Sequence, residues 1–179
     1  MKTLKLLFAI VLLSIGYTAV SAQGIYLFMQ QVTNGKGTGA HEDEVKIATL
    51  EYEIKLVGTA VTGGGLGAGK AEYKDAIFTK SIDAASMRLM QMLASGENGQ
   101  VMEFRFYEGE GAEERLVYKV ELGAYIFTDH LGSAGLCDGG CTTVAESFSV
   151  NFRKMRATNY KTSPPSEYKW DLRTNSASF

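Results

Sequence analysis

The sequence predicts a mainly β protein, a small antiparallel β-barrel with one α-helix. Three observations carry that reading. Apolar residues alternate with polar ones in stretch after stretch, a single segment switches to helical spacing, and glycine-rich runs punctuate the chain between them.

Alternation is clearest where Leu50, Tyr52, Ile54 and Leu56 interleave with Glu51, Glu53 and Lys55, the pattern of a strand with one buried face. Met102, Phe104 and Phe106 interleave with Glu103 and Arg105 in the same way. Tyr118, Val120, Leu122 and Ala124 do so with Lys119 and Glu121, and Phe148, Val150 and Phe152 with Ser149, Asn151 and Arg153. Adding Ile25–Met29, Ala71–Thr79 and Tyr168–Arg173 gives about seven one-faced strands, which a barrel or sandwich would bury. From Asp83 the period becomes helical: Ser86, Leu89, Met90 and Leu93 share one face, Asp83 is the expected N-cap, and Gly96 supplies the stop. Met87, Met90 and Met92 read as core packing, because methionine fills irregular gaps. The runs Asn34–Gly39 and Gly58–Gly69 read as flexible loops. Neither a repeat nor an interdomain linker is evident.

Residues 1–22 have the zones of a secretory signal peptide: Lys2 and Lys5, an apolar run Leu6–Ile15, then Val20-Ser21-Ala22 before Gln23. The run is too short to span a bilayer, and no later stretch competes with it, so no membrane anchor is expected. Residues 23–179 then form a single domain, a length that supports one hydrophobic core. Without the leader the net charge is near −4. A phosphate-binding face needs a basic surface, and no run of Lys and Arg exceeds two residues, which argues against nucleic acid. Cys137 and Cys141 are the only cysteines, and in an oxidising compartment a disulfide is the default. Closing so small a loop contributes at most about 2 kcal/mol, so the bridge would pin a loop and not hold the fold.

Several constellations imitate chemistry. The run from Gly64 to Lys70 has the glycines and lysine of a phosphate-binding loop, but Ala71 stands where a Ser or Thr must reach magnesium, and no helix is expected after it. His41-Glu42-Asp43-Glu44 offers the donor types of a weak divalent site with nothing to fix their geometry, and reads as a solvated loop tip. His130 lies near Ser133 and Ser147 in sequence without a nucleophile-elbow setting. Glu113, Glu114 and Arg115 read as a turn with its charges in water. No cofactor site, metal site or catalytic set follows from these residues, and an enzyme is not expected.

Two stretches resemble the haemolysin-coregulated protein (Hcp) family, the subunits of the type VI secretion tube. One runs from Gly67 through Phe78-Thr79-Lys80 to Asp83-Ala84-Ala85-Ser86 and is similar to that family's strand entering its single helix. The other, Glu146–Phe152 followed by Lys169-Trp170-Asp171-Leu172-Arg173-Thr174-Asn175, is similar to its last two strands, with Glu103–Tyr125 fitting the hairpin between. The resemblance implies an Hcp-like barrel flanked by one helix, assembled with itself as a homo-hexameric ring that stacks into a tube, with a wide channel for small cargo and secretion-spike or effector proteins as partners. It implies no catalysis. It also assigns the second glycine-rich loop to subunit contact, through Gly58, Gly63, Gly64, Gly65, Leu66 and Gly67. The leader and the cysteine-containing segment Leu131–Cys141 depart from the family and agree with each other, placing the protein in the periplasm or outside the cell. The two functions to separate are a ring-forming transport subunit, or an exported relative of one, and a monomeric secreted β-barrel that binds a partner through its loops.

Overall fold

The computed structural model describes residues 24–56, 58–59, 67–68, 70–109, 111–136 and 142–179. The leader over residues 1–22, the pair Cys137 and Cys141, and Gly63, Gly64, Gly65 and Leu66 lie outside the described residues. Along the chain come β1 (Gly24–Phe28), β2 (Val45–Ile47), β3 (Thr49–Glu51), β4 (Ile54–Lys55), β5 (Gly58–Thr59), β6 (Gly67–Ala68) and β7 (Glu72–Tyr73). They are followed by β8 (Ala76–Ser81), α1 (Ser86–Ser95), β9 (Gly99–Glu108), β10 (Arg115–Leu136), β11 (Thr142–Asn159) and β12 (Ser166–Asp171).

All pairings among them are antiparallel, and the main sheet runs β2-β1-β9-β10-β11-β8-β3, with β12 also on β11. Its two end strands are pieces of one run. Residues 45–47 pair with β1, Ala48 donates its backbone N–H to Thr79 O at 2.7 Å, and residues 49–51 pair with β8. Sheet twist thereby rolls the layer until a single run touches both of its margins. The fold is mainly β with one helix, as expected, but the ladder does not close into a continuous barrel, because β2 and β3 each bond a different neighbour and leave a seam between them.

The core fills the roll. Leu27, Phe78, Leu89, Met102, Phe104, Val120, Leu122, Phe148 and Val150 are completely buried there, and Phe78 stacks on Phe148 at 5.4 Å. The two longest strands serve both halves of this core. On β10 Val120 and Leu122 point inward, but beyond the turn of phase the inward residues are Tyr125 and Phe127. On β11 the change falls opposite, between Met155 and Phe152. Ala124 makes the change, with φ of +50° and its side chain exposed, instead of continuing the alternation as the sequence pattern suggested. A left-handed residue other than glycine costs roughly 1–2 kcal/mol. Ala124→Gly is therefore expected to raise stability by about 1 kcal/mol in urea unfolding, and a loss of stability would show that the backbone is not left-handed there.

The helix begins three residues later than its expected cap. Asp83 forms an Asx turn, its Oδ1 accepting the Ala85 N–H at 2.8 Å, and Ser86 Oγ accepts the Asp83 N–H at 2.9 Å. Its end is as expected: Gly96 has φ of +64°, its N–H bonds Leu93 O, and the Glu97 N–H reaches back to Met92 O. Of the three methionines read as core packing, only Met92 is buried, and Met87 is 61% exposed. The helix buries just the Ser86, Leu89 and Met92 stripe, so Met87 and Met90 lie outside it.

Candidate assembly surfaces and a buried charge network

The strongest alternation in the sequence does not line the core. Leu50 packs against it, but Tyr52, Ile54 and Leu56 are exposed, Ile54 by 44% and Leu56 by 55%. They leave the main sheet because, among the described residues, the strands between Glu51 and Ala76 pair with one another, β4 with β7 and β5 with β6. Together with β3 and β8 this makes one long hairpin that is rooted in the main sheet and ends in a separately paired arm. Gly58 and Gly67, named as contact residues, belong to its short outer pairing and are not loop residues. The root is fixed on both sides: Lys70 Nζ donates to Leu172 O at 2.8 Å, Tyr73 and Tyr168 join through their hydroxyls, and Lys74 pairs with Glu53 at 2.6 Å. Lys70 thus makes a structural bond, and the chain after it enters a strand and not the helix that phosphate binding requires.

The outer wall has two chemically different halves. Across β9, β10, β11 and β12 runs a chain of alternating acidic and basic side chains: Glu114, His41, Glu44, Arg105, Glu103, Lys119, Glu121, Arg156, Glu167 and Lys169. His41 holds the near end. Its ring stacks on Tyr26 at 3.8 Å, with Nδ1 at 2.7 Å from Glu44 and Nε2 at 3.1 Å from Glu114, a geometry in which both nitrogens donate when the ring is protonated. Glu44 also accepts from Tyr107 at 3.0 Å, and burial together with the Glu44 charge pushes the Tyr107 hydroxyl up to about 12. Glu44 and Glu114 are thus drawn into contacts and away from water, unlike the solvated tips their sequence suggests, whereas Glu42, Glu113 and Arg115 are exposed as expected. At the far end, burial opposes ionisation of Glu121, but the bonds and charges of Arg156 and Lys119 outweigh it and hold the carboxyl below its ordinary value. The other half, over β3, β8 and β11, is sparser in charge and carries Thr49, Thr79 and Ser147 in one row and Glu51, Ile77 and Ser149 in the next, with Leu131 at its margin.

Beneath the helix lies the network that joins α1 to the sheet. Lys80 is 1% exposed and Glu146 4%. Lys80 Nζ donates to Glu146 Oε1 at 2.8 Å, to Ser86 Oγ at 3.0 Å and to Ser81 O at 2.9 Å, and lies 2.8 Å from Asp83 Oδ1. Ser86 donates to the same Glu146 oxygen, and His130 Nε2 is 3.3 Å from the other. Burial raises the Glu146 carboxyl, but the bonds from Lys80 and Ser86 and the Lys80 charge together bring it below its ordinary value. A serine beside a lysine has the composition of a hydrolytic dyad, yet Ser86 is fully buried and no substrate carbonyl reaches it. His130 pairs across the ladder with Phe148, whereas Ser147 pairs with Leu131, so strand alternation puts the histidine and that serine on opposite faces. The C-terminal end is tied similarly by Asp171, which accepts from Arg153 at 3.1 Å and from the N–H groups of Arg173 and Thr174. The Arg153 bond, helped by these backbone donors against some desolvation, lowers the carboxyl to about 2. Because the folded value is depressed, the bond supports the folded state above the unfolded value near 4 and is lost as pH falls toward 2. The Asp171 carboxyl carbon, followed by NMR, is expected to titrate at least one pH unit below a free aspartate. A titration near 4 would show that the cluster is open in solution.

Among the described residues no helix is long and apolar enough to cross a membrane, and no group of three or more His, Cys, Asp or Glu residues is arranged to hold a metal ion. The described charged side chains serve ion pairs and packing on a mainly β fold with one helix. The profile described as "Type VI secretion system effector, Hcp" matches residues 26–159. The chain belongs to the Hcp family of type VI secretion, a family of secreted, self-assembling tube proteins. No curated protein matches it in sequence. Among solved structures it is similar to a type six secretion system protein, with 17% identity, 87% of this chain and 99% of that one covered, and a TM-score of 0.73. Hcp1 from Salmonella typhimurium gives 18%, 86%, 97% and 0.67, and the secreted protein Hcp3 from Pseudomonas aeruginosa 21%, 84%, 98% and 0.64. At these identities the structures support the fold.

Proposed function

We propose that this chain is a ring-forming structural subunit, exported by its own leader and folded as one domain from residue 23, that carries or contacts cargo without catalysing a reaction. The observation that carries the reading is the exposed apolar face of Tyr52, Ile54 and Leu56 on an arm that leaves its own sheet. A strand that alternates so regularly is built to be covered on one side, and a second copy is the partner that one gene always supplies. Heterologous contact of an arm with a different patch on the next copy closes into a ring, for which six members is the family's number. Gly58, Gly63, Gly64, Gly65, Leu66 and Gly67 are the proposed contact residues at the arm's end. Position 137 directly follows Leu136 and position 141 directly precedes Thr142, the last residues paired in that hairpin, and we propose that Cys137 and Cys141 form the disulfide suited to the periplasm or the exterior.

Light scattering after size exclusion on the oxidised chain from Gln23 tests this. A mass near six subunits at micromolar concentration is expected, with rings in negative stain. A monomer at every concentration would overturn ring assembly and favour a secreted binding module.

A further inference from the structure

The seam of the rolled sheet is a groove of about 590 Å³ bounded by β2 on one side and by Ser81 and Asp83 on the other. It exists because the run 45–51 changes partner at Ala48. β2 bonds β1 along one edge and ends the sheet path, so the edge turned toward the groove has no strand partner among the described residues. β3 covers β8 only as far as Thr79, which leaves Ser81 on the opposite wall without it. The bond from Ala48 to Thr79 O closes the groove at one end. A free strand edge inside a groove has one natural complement, an extended segment that continues the ladder.

The charges of the lining select the segment. Its two acids are already engaged, Glu44 with Arg105 and His41, and Asp83 with Lys80. Its two lysines, Lys36 and Lys46, belong to no ion pair among the described residues, and Lys46 is exposed on β2 itself. We propose that the seam binds an extended acidic peptide segment of a partner protein, which adds a strand beside β2 and meets Lys36 and Lys46 with its carboxylates. Backbone bonds supply register and affinity, and the two ammonium groups supply the preference for acid. The inference concerns a surface separate from the arm and stands whether or not rings form.

The test uses a fluorescent octapeptide of alternating glutamate and valine, followed by anisotropy against the intact chain. Three companions go with it: a lysine–valine version, an acidic version N-methylated at alternate residues, and the K36E/K46E variant, whose changes lie on the surface and are checked by thermal melting. If that variant does not fold, K46A replaces it. The acidic peptide is expected to bind at low salt, and either the variant or N-methylation is expected to weaken binding about tenfold or more, one order of magnitude in Kd. Equal binding of acidic and basic peptides, or indifference to N-methylation, overturns the proposal. So does a K46-dependent rise in the protein's own mass without peptide binding, which would make the seam an interface between copies.

Discussion

Lys80→Ala is expected to cost about 3–5 kcal/mol of folding stability, because it strands Glu146 as an unpaired charge in a buried site. Against a total of about 5–15 kcal/mol for a typical domain, this is enough to leave a large unfolded fraction near physiological temperature. Removing the carboxylate instead, as Glu146→Leu, leaves the ammonium with Asp83 Oδ1 at 2.8 Å and is expected to cost less than Lys80→Ala, whereas the double variant K80M/E146L is expected to recover most of the Lys80→Ala loss. Urea unfolding of the three variants measures both the cost and the recovery. A single-variant cost below about 1 kcal/mol would show that water reaches the pair. Acid works in the same direction. The folded Glu146 carboxyl lies below its ordinary value, so its contribution is complete above the unfolded value and disappears as pH falls through the folded one. In K80A the acid-dependent part of the stability change assigned to Glu146 is expected to shrink or reverse.

The second large effect concerns assembly. I54K/L56K is expected to convert rings into monomers without changing the circular dichroism of the fold. Each aliphatic side chain contributes roughly 1.5–3 kcal/mol when fully buried, and a ring repeats that contact at every junction, so two lysines per subunit act many times over. Both side chains are already exposed in the single chain, which is why the fold should tolerate the change. Persistence of the ring in the variant at micromolar concentration would remove the arm from the interface.

Those same residues mark the limit of what the sequence makes legible. Period-two alternation from Leu50 to Leu56 says that one face avoids water, but not which molecule excludes it, and reading the stretch as barrel wall placed the apolar face in the wrong surroundings. The strands of Met102–Phe106 and Phe148–Phe152 were legible because both their pattern and their cover lie within one chain. Local chemistry read equally well, as at Gly96, where the helix stop needs only a left-handed residue. Distant pairing did not: Glu44 and Glu114 look like solvated loop acids until folding brings Arg105 and His41 to them across 61 and 73 residues of chain. The burial of Lys80 escaped notice for a related reason, since its partner Glu146 is 66 residues away. The seam at Ala48 leaves no compositional trace, because a change of strand partner requires no special residue.

The placement of β1 has a consequence in time. Its neighbours are β2, which follows closely, and β9, whose Phe104 lies opposite Leu27. During synthesis this first strand waits for more than half the chain before its second neighbour exists, and closing so long a loop is slow compared with forming the β10–β11 hairpin. Until then the chain's beginning stays open to whatever machinery meets it first, and the roll can shut only once the latest partner of the earliest strand has arrived.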